Sequence, residues 1–121
     1  MITDINALTY DSFIQKIKTI KTYRSNAYKE YKVMKANQTT LVLRDQRTKT
    51  DYEGPAIQIF YAMQELGIEN CTVPNMRKYV GSHAAPASAA LIYWAFGRGK
   101  VHAEIKKLSD LAFKLIKEQQ K

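Results

Sequence analysis

The hydrophobic period of this chain changes twice, and those changes limit its fold more than any motif does. Phe13, Ile17 and Ile20, joined by Tyr10 and Ile14, recur at intervals of three and four, which predicts a helix capped at Thr9 or a neighbour and running through Tyr23. From Tyr28 to Tyr52 the period falls to two. Tyr31 and Val33 alternate with lysines, Leu41-Val42-Leu43 is a β-rich run, and Arg47, Lys49 and Asp51 alternate with Thr48, Thr50 and Tyr52. That pattern predicts a three-stranded antiparallel meander turning near Asn37-Gln38 and Asp45-Gln46, where Asn and Asp side chains bond the local backbone. The helical period then returns. Gly54-Pro55 opens a helix whose apolar stripe is Ile57, Phe60, Tyr61 and Leu66 and which stops at Gly67. Thr72 caps a short helix to Val80, ended by Gly81. Pro86 begins another that reaches about Phe96, and Ile105, Leu108, Ala112 and Leu115 stripe a last one.

The expected class is therefore α+β: an N-terminal helix, a three-stranded meander, then a bundle of about four helices. With 121 residues, no repeat and no Pro/Gly/Ser linker, residues 1–121 read as one domain, with 1–53 its basic helix and meander and 54–121 its helical part. One cysteine excludes an internal disulfide framework, and one cysteine with two histidines cannot supply a four-ligand structural zinc site. No charged-then-apolar leader opens the chain, and no apolar run approaches the roughly 18 residues of a membrane span. The expectation is a cytoplasmic, metal-free chain without a cofactor or a membrane partner.

Charge points to the partner. Nineteen Lys and Arg against eleven Asp and Glu leave a formal +8, which favours polyanions. The excess is concentrated. Lys16, Lys18, Lys21, Arg24, Lys29, Lys32 and Lys35 face only Glu30 between positions 16 and 35, a net +6 suited to phosphate contacts that weaken with salt. Tyr23, Tyr28 and Tyr31 are interleaved with these cations and would stack on bases if the target were single-stranded. Tyrosines at the edge of a small sheet are as often part of its core.

TVPNMRKYVGSHAAPASAALIYWAF, Thr72 to Phe96, gives a short helix, a glycine turn and a second helix, and so resembles a helix-turn-helix. With Gly81 at the turn, Met76, Val80 and Ala89 fall where that motif buries apolar residues. Arg77, Ser82 and Pro86 depart from it. The resemblance implies DNA contact by Ser82 and His83 at the start of the second helix, flanked by Arg77 and Lys78. That start, Ser82 to Ser88, lacks the Arg, Lys, Asn or Gln forks that read base edges, so readout of sequence would be poor. Residues Ala84 to Ala90 also make a small-residue surface for close helix packing. Gly97-Arg98-Gly99-Lys100 offers Arg98 and Lys100 to phosphate, as a shortened wing would, or is simply a turn between helices. The order of elements is similar to that of small α/β nucleic-acid-binding modules of phage and restriction-associated proteins.

No catalytic set is assembled in the sequence. His102-Ala103-Glu104 lacks the cysteine pair of zinc deaminases, and Cys71 has no histidine beside it. Glu104-Ile105-Lys106 has a nuclease-like spacing but falls on a predicted helix, and Asp45, Asp51 and Glu53 are flanked by Arg44, Arg47 and Lys49, which favour ion pairs over a metal. The leading expectation is a small non-enzymatic module that holds the backbone of nucleic acid, DNA ahead of RNA, with little sequence preference. The alternative is a protein-interaction module, such as a phage-type effector or inhibitor of an acidic host protein. The apolar run Ala89 to Phe96 reads as a core helix around Trp94, and it or Ile105 to Leu115 would serve a homodimer.

Overall fold

A computed structural model describes residues 8–25 and 29–119, without the side chains of residues 100–104, 106, 118 and 119. Helix α1, Tyr10–Lys18, begins where the Thr9 hydroxyl accepts the Ser12 N–H at 3.1 Å. It buries Phe13, Ile14 and Ile17. It ends at Lys18, short of the Tyr23 expected from its period. Tertiary contacts take Tyr23 into a strand instead: β1, Thr22–Arg24, pairs antiparallel with β2, Glu30–Ala36, and Tyr23 lies opposite Tyr31. The two rings stack at 5.2 Å, and the Tyr23 hydroxyl donates to the Ala87 carbonyl at 2.9 Å.

The sheet thus has four strands rather than three. β3, Thr40–Asp45, and β4, Thr50–Pro55, complete the order β1-β2-β3-β4, antiparallel throughout. Both expected turns form around the predicted side chains. Asn37 Oδ1 accepts the N–H groups of Thr39 and Thr40, and Asp45 Oδ1 accepts that of Arg47. Tyr23, Tyr31, Leu41 and Leu43 are buried on one face of the sheet, which is covered by helices.

Pro55 ends β4 and is the N-cap of α2, Ala56–Leu66, not its first helical residue. Its buried residues are Ala56, Ile59, Ala62 and Met63, whereas Ile57 and Tyr61 of the expected stripe are exposed. The buried face differs from that stripe because small alanines, which carry little weight in a periodicity, occupy the side that comes closest to the core. Gly67 stops the helix, and a 3₁₀ turn at Ile68–Asn70 leads to α3, Val73–Phe96. Gly81, at φ 84° and ψ 168°, divides α3 into two segments. The second segment starts here and not at Pro86, which lies inside it. Ala85, Ala87, Ser88, Ala89, Ala90, Leu91 and Ile92 are all buried, making this segment the centre of the core. Trp94, expected at that centre, is only partly buried at its rim. Phe96 instead reaches inward and stacks on Phe13 at 5.7 Å. Helix α4, Gly99–Gln119, follows at once. No helix among the described residues is long and apolar enough to cross a membrane.

The φ and ψ of Gly81 lie in a region open essentially to glycine alone. Nothing stands within 4 Å of where a Cβ would be, so backbone strain is the whole cost of adding one. Gly81→Ala is expected to lower stability by about 1–3 kcal/mol, read as a lower midpoint in urea unfolding with an unchanged m-value.

Candidate nucleic-acid interface

Strict alternation along β2 would send Lys32 and Lys35 to opposite faces of the sheet. The register shows how both stay outside. Val33 pairs with Leu43, but Lys35 pairs with Val42, so one extra residue, Met34, is accommodated as a bulge. Lys32 then lies opposite Arg44, and Lys35 opposite Val42, on the outer face; Val33 and Ala36 lie opposite the buried Leu43 and Leu41. Leaving Lys35 inward would have buried an unpaired ammonium, so the bulge resolves a conflict already present in the sequence.

The end of α1 brings two more cations to this strand. Thr22 pairs with Lys32, and the Val33 N–H donates to the Lys21 carbonyl at 2.9 Å, which fixes Lys21 beside β2. Lys18, Lys21, Lys32 and Lys35, all exposed, line one shallow groove of about 220 Å³. Its floor is Ile20, Val33, Met34 and Ala36. No carboxylate and no aromatic ring is among these lining residues. The apolar floor escaped sequence reasoning, although the three-residue spacing of Lys32 and Lys35 within a strand was its signal.

The other predicted residues are spread elsewhere. Lys16 is exposed on α1 outside the groove. Arg24 and Lys29 line a separate cavity of about 580 Å³ floored by Ile68, Val73, Ala89 and Ala90. Lys29 is engaged there, its Nζ 2.9 Å from Asp45 Oδ2 and 5.7 Å from the centre of the Tyr31 ring. Arg77 and Lys78 are exposed on the first segment of α3, and Ser82 and His83 are exposed just after its kink. Met76 and Ala89 are buried and Val80 partly so, but Ala85, Ala87 and Ser88 are buried too, which leaves little of the second segment for a DNA groove. Arg98 is exposed in the turn between α3 and α4, while the Lys100 side chain and Tyr28 lie outside the described residues. A Cβ on Gly99 would stand 2.7 Å from Trp94 Cα, so this glycine lets the backbones touch as α4 leaves α3. The segment is a turn between helices, with no strand of a wing in it. Tyr23 and Tyr31, offered as base-stacking rings, are each 1% exposed and belong to the core.

Of the acidic residues singled out in the sequence, Asp45 and Asp51 are held in ion pairs. Arg44 Nε and a second guanidinium nitrogen bind the two oxygens of Asp51 across β3 and β4 at 2.7 and 3.0 Å. No cluster of three metal-ligating side chains occurs among the described residues. Glu104-Ile105-Lys106 lies on α4, as its period predicted. Cys71 is buried, its thiol directed at the Gly67 carbonyl at 3.2 Å, and burial pushes its pKa up to about 11, away from a reactive thiolate.

No family model matches this chain, and neither a curated protein nor a solved structure was found to match it.

Asp45 is the one charged side chain buried in the described structure. Its Oδ2 has the Lys29 ammonium and no other hydrogen-bond partner. The hydrogen bond from Lys29, helped by the N–H groups of Arg47 and Thr48, holds its pKa below the ordinary carboxylate value against the opposing effect of burial. A depressed pKa contributes stability above about pH 4 that is lost as pH falls through the folded value. Asp45→Asn is therefore expected to lower stability by about 1–3 kcal/mol at pH 7. The gap from wild type should shrink in urea titrations below about pH 4.

Proposed function

We propose that this protein is a nucleic-acid-binding module that grips the phosphate backbone with the groove between α1 and β2. The observation behind this reading is the gathering of Lys18, Lys21, Lys32 and Lys35 around one depression without an acidic residue in its lining. Such an array attracts a line of phosphates, releases their counterions, and reads no base edges. With Tyr23 and Tyr31 in the core and no ring among the described residues lining the groove, a duplex is favoured over a single strand, which would call for base stacking. DNA is placed ahead of RNA by the helix-turn-helix resemblance of Thr72 to Phe96, since backbone charge is common to both. Arg77, Lys78 and Arg98 are further exposed cations outside the groove, suited to general attraction rather than to the grip itself.

Fluorescence-anisotropy titration of a labelled duplex over a salt series tests this reading. Four neutralised phosphates give a slope of log K against log salt of about −3.6. The double variant Lys32→Ala/Lys35→Ala should make the slope shallower by about 2, while Lys78→Ala should leave the grip largely intact. Binding that ignores salt, or an equal loss in both variants, would remove the groove from the account. A stoichiometric protein retained from lysate after nuclease treatment, with no duplex bound in titration, would favour an acidic protein partner for the same lysines.

A further inference from the structure

Helix α4 begins at Gly99, touches α3 and β1, and exposes Ile105, Leu108, Leu111, Phe113, Leu115 and Ile116, each between 52 and 71% accessible. Among the described residues the other exposed large apolar side chains are Met34 on β2 and Ile57 and Tyr61, one turn apart on α2, so the largest group is the one on α4. Ile105, Leu108, Ala112 and Leu115 follow the 3-4-3 spacing of the inner positions of a heptad, and Leu111 and Ile116 flank that seam. Lys107, Asp110, Lys114 and Lys117 fall away from the seam, so between 105 and 117 the seam and its flanks carry no charge, while Glu104 and Glu118 take the flanking position of Leu111 one heptad to either side.

We propose that this face is a self-association surface and that its occupant is α4 of a second copy. A 3-4 seam interlocks with an identical seam, so one patch serves both sides of a twofold interface. Charge supports a second copy over an acidic partner: the lysines of α4 lie away from the seam, so pairing neither requires opposite charge nor confronts like charges. Area supports it as well. The five seam and flanking leucines and isoleucines offer on the order of 100 Å² each. Two copies would therefore bury on the order of 1,000 Å², at the lower limit for a specific interface and in keeping with a dimer that dissociates on dilution. This association stands whether or not the lysine groove binds nucleic acid. Its consequence for such binding is two grooves on one particle and a gain in avidity.

The test is sedimentation equilibrium of the full, nuclease-treated chain over a dilution series in high salt, so that bound polyanion cannot bridge copies. The expected result is a mass of twice 13.9 kDa that dissociates on dilution. Leu108→Glu/Leu115→Glu should weaken association by more than about 100-fold, while Phe113→Glu, off the seam, should leave it unchanged. Circular dichroism and the melting temperature of each variant report whether the body has folded. Should the double variant fail to fold, Ala112→Leu, which adds apolar surface to the seam, is expected to tighten association by about tenfold. A wild-type mass of 13.9 kDa at every concentration, or a self-associating mass that none of the seam changes alters, would overturn the proposal.

Discussion

The second segment of α3 is the constraint on which the rest of the structure depends. Its alanines and Ser88 lie buried from Ala85 to Ala90, and side chains this small let the helix axis come close to its neighbours. That proximity allows the Tyr23 hydroxyl to reach the Ala87 carbonyl and the Phe96 ring to stack on Phe13. The first contact recruits β1 to the sheet, and the second holds α1 against the core. A larger residue at Ala85 or Ala87 would push both away, because a close-packed interior has no spare volume for it. The same small-residue run that resembles the entry of a DNA-reading helix is thus committed to packing.

The lysine groove follows from that packing at one remove. Once Tyr23 is buried, β1 must pair with the first half of β2, and the chain between α1 and β1 lies along the rest of it. Lys18 and Lys21 are carried there with it. The bulge at Met34 then turns Lys35 outward without moving Tyr31 or Leu41 from the core. Bulges commonly sit where a strand must re-aim a side chain, and here the re-aimed side chain is a cation at a sheet edge. Elsewhere on the sheet, Lys29 and Arg44 are matched by Asp45 and Asp51. Among the described residues no ion pair joins a lysine of the groove to a carboxylate.

Electrostatics and hydrophobic exposure occupy different parts of the molecule. The groove lies where α1 meets the sheet, whereas the bare apolar face belongs to α4, beyond the Gly97-Arg98-Gly99 turn. A particle built this way keeps the surface proposed for a polyanion apart from the surface proposed for another copy. A mutation in one should leave the other intact, because sites that share no contacts act nearly independently.

The α+β class, the N-terminal cap at Thr9, the two side-chain-stabilised turns and the stops at Gly67 and Gly81 were legible in the sequence, because each depends on residues within a few positions of one another. The charge excess and the striped last helix were legible for the same reason. The fourth strand was not, since Tyr23, which pairs with Tyr31 in the sheet, is also held in the core by the Ala87 carbonyl of α3, 64 residues away. Nor was the buried face of α2, where alanines outrank the larger Ile57 and Tyr61 because the gap they fill is narrow. Sequence also placed seven cations in one stretch without distinguishing Lys29, held by Asp45, from Lys32 and Lys35, turned outward by a bulge. Local chemistry thus determined the elements and the sign of the charge. Which lysines share a groove was decided only by tertiary structure, because strand register and ion pairing are set between segments that meet after the core has closed.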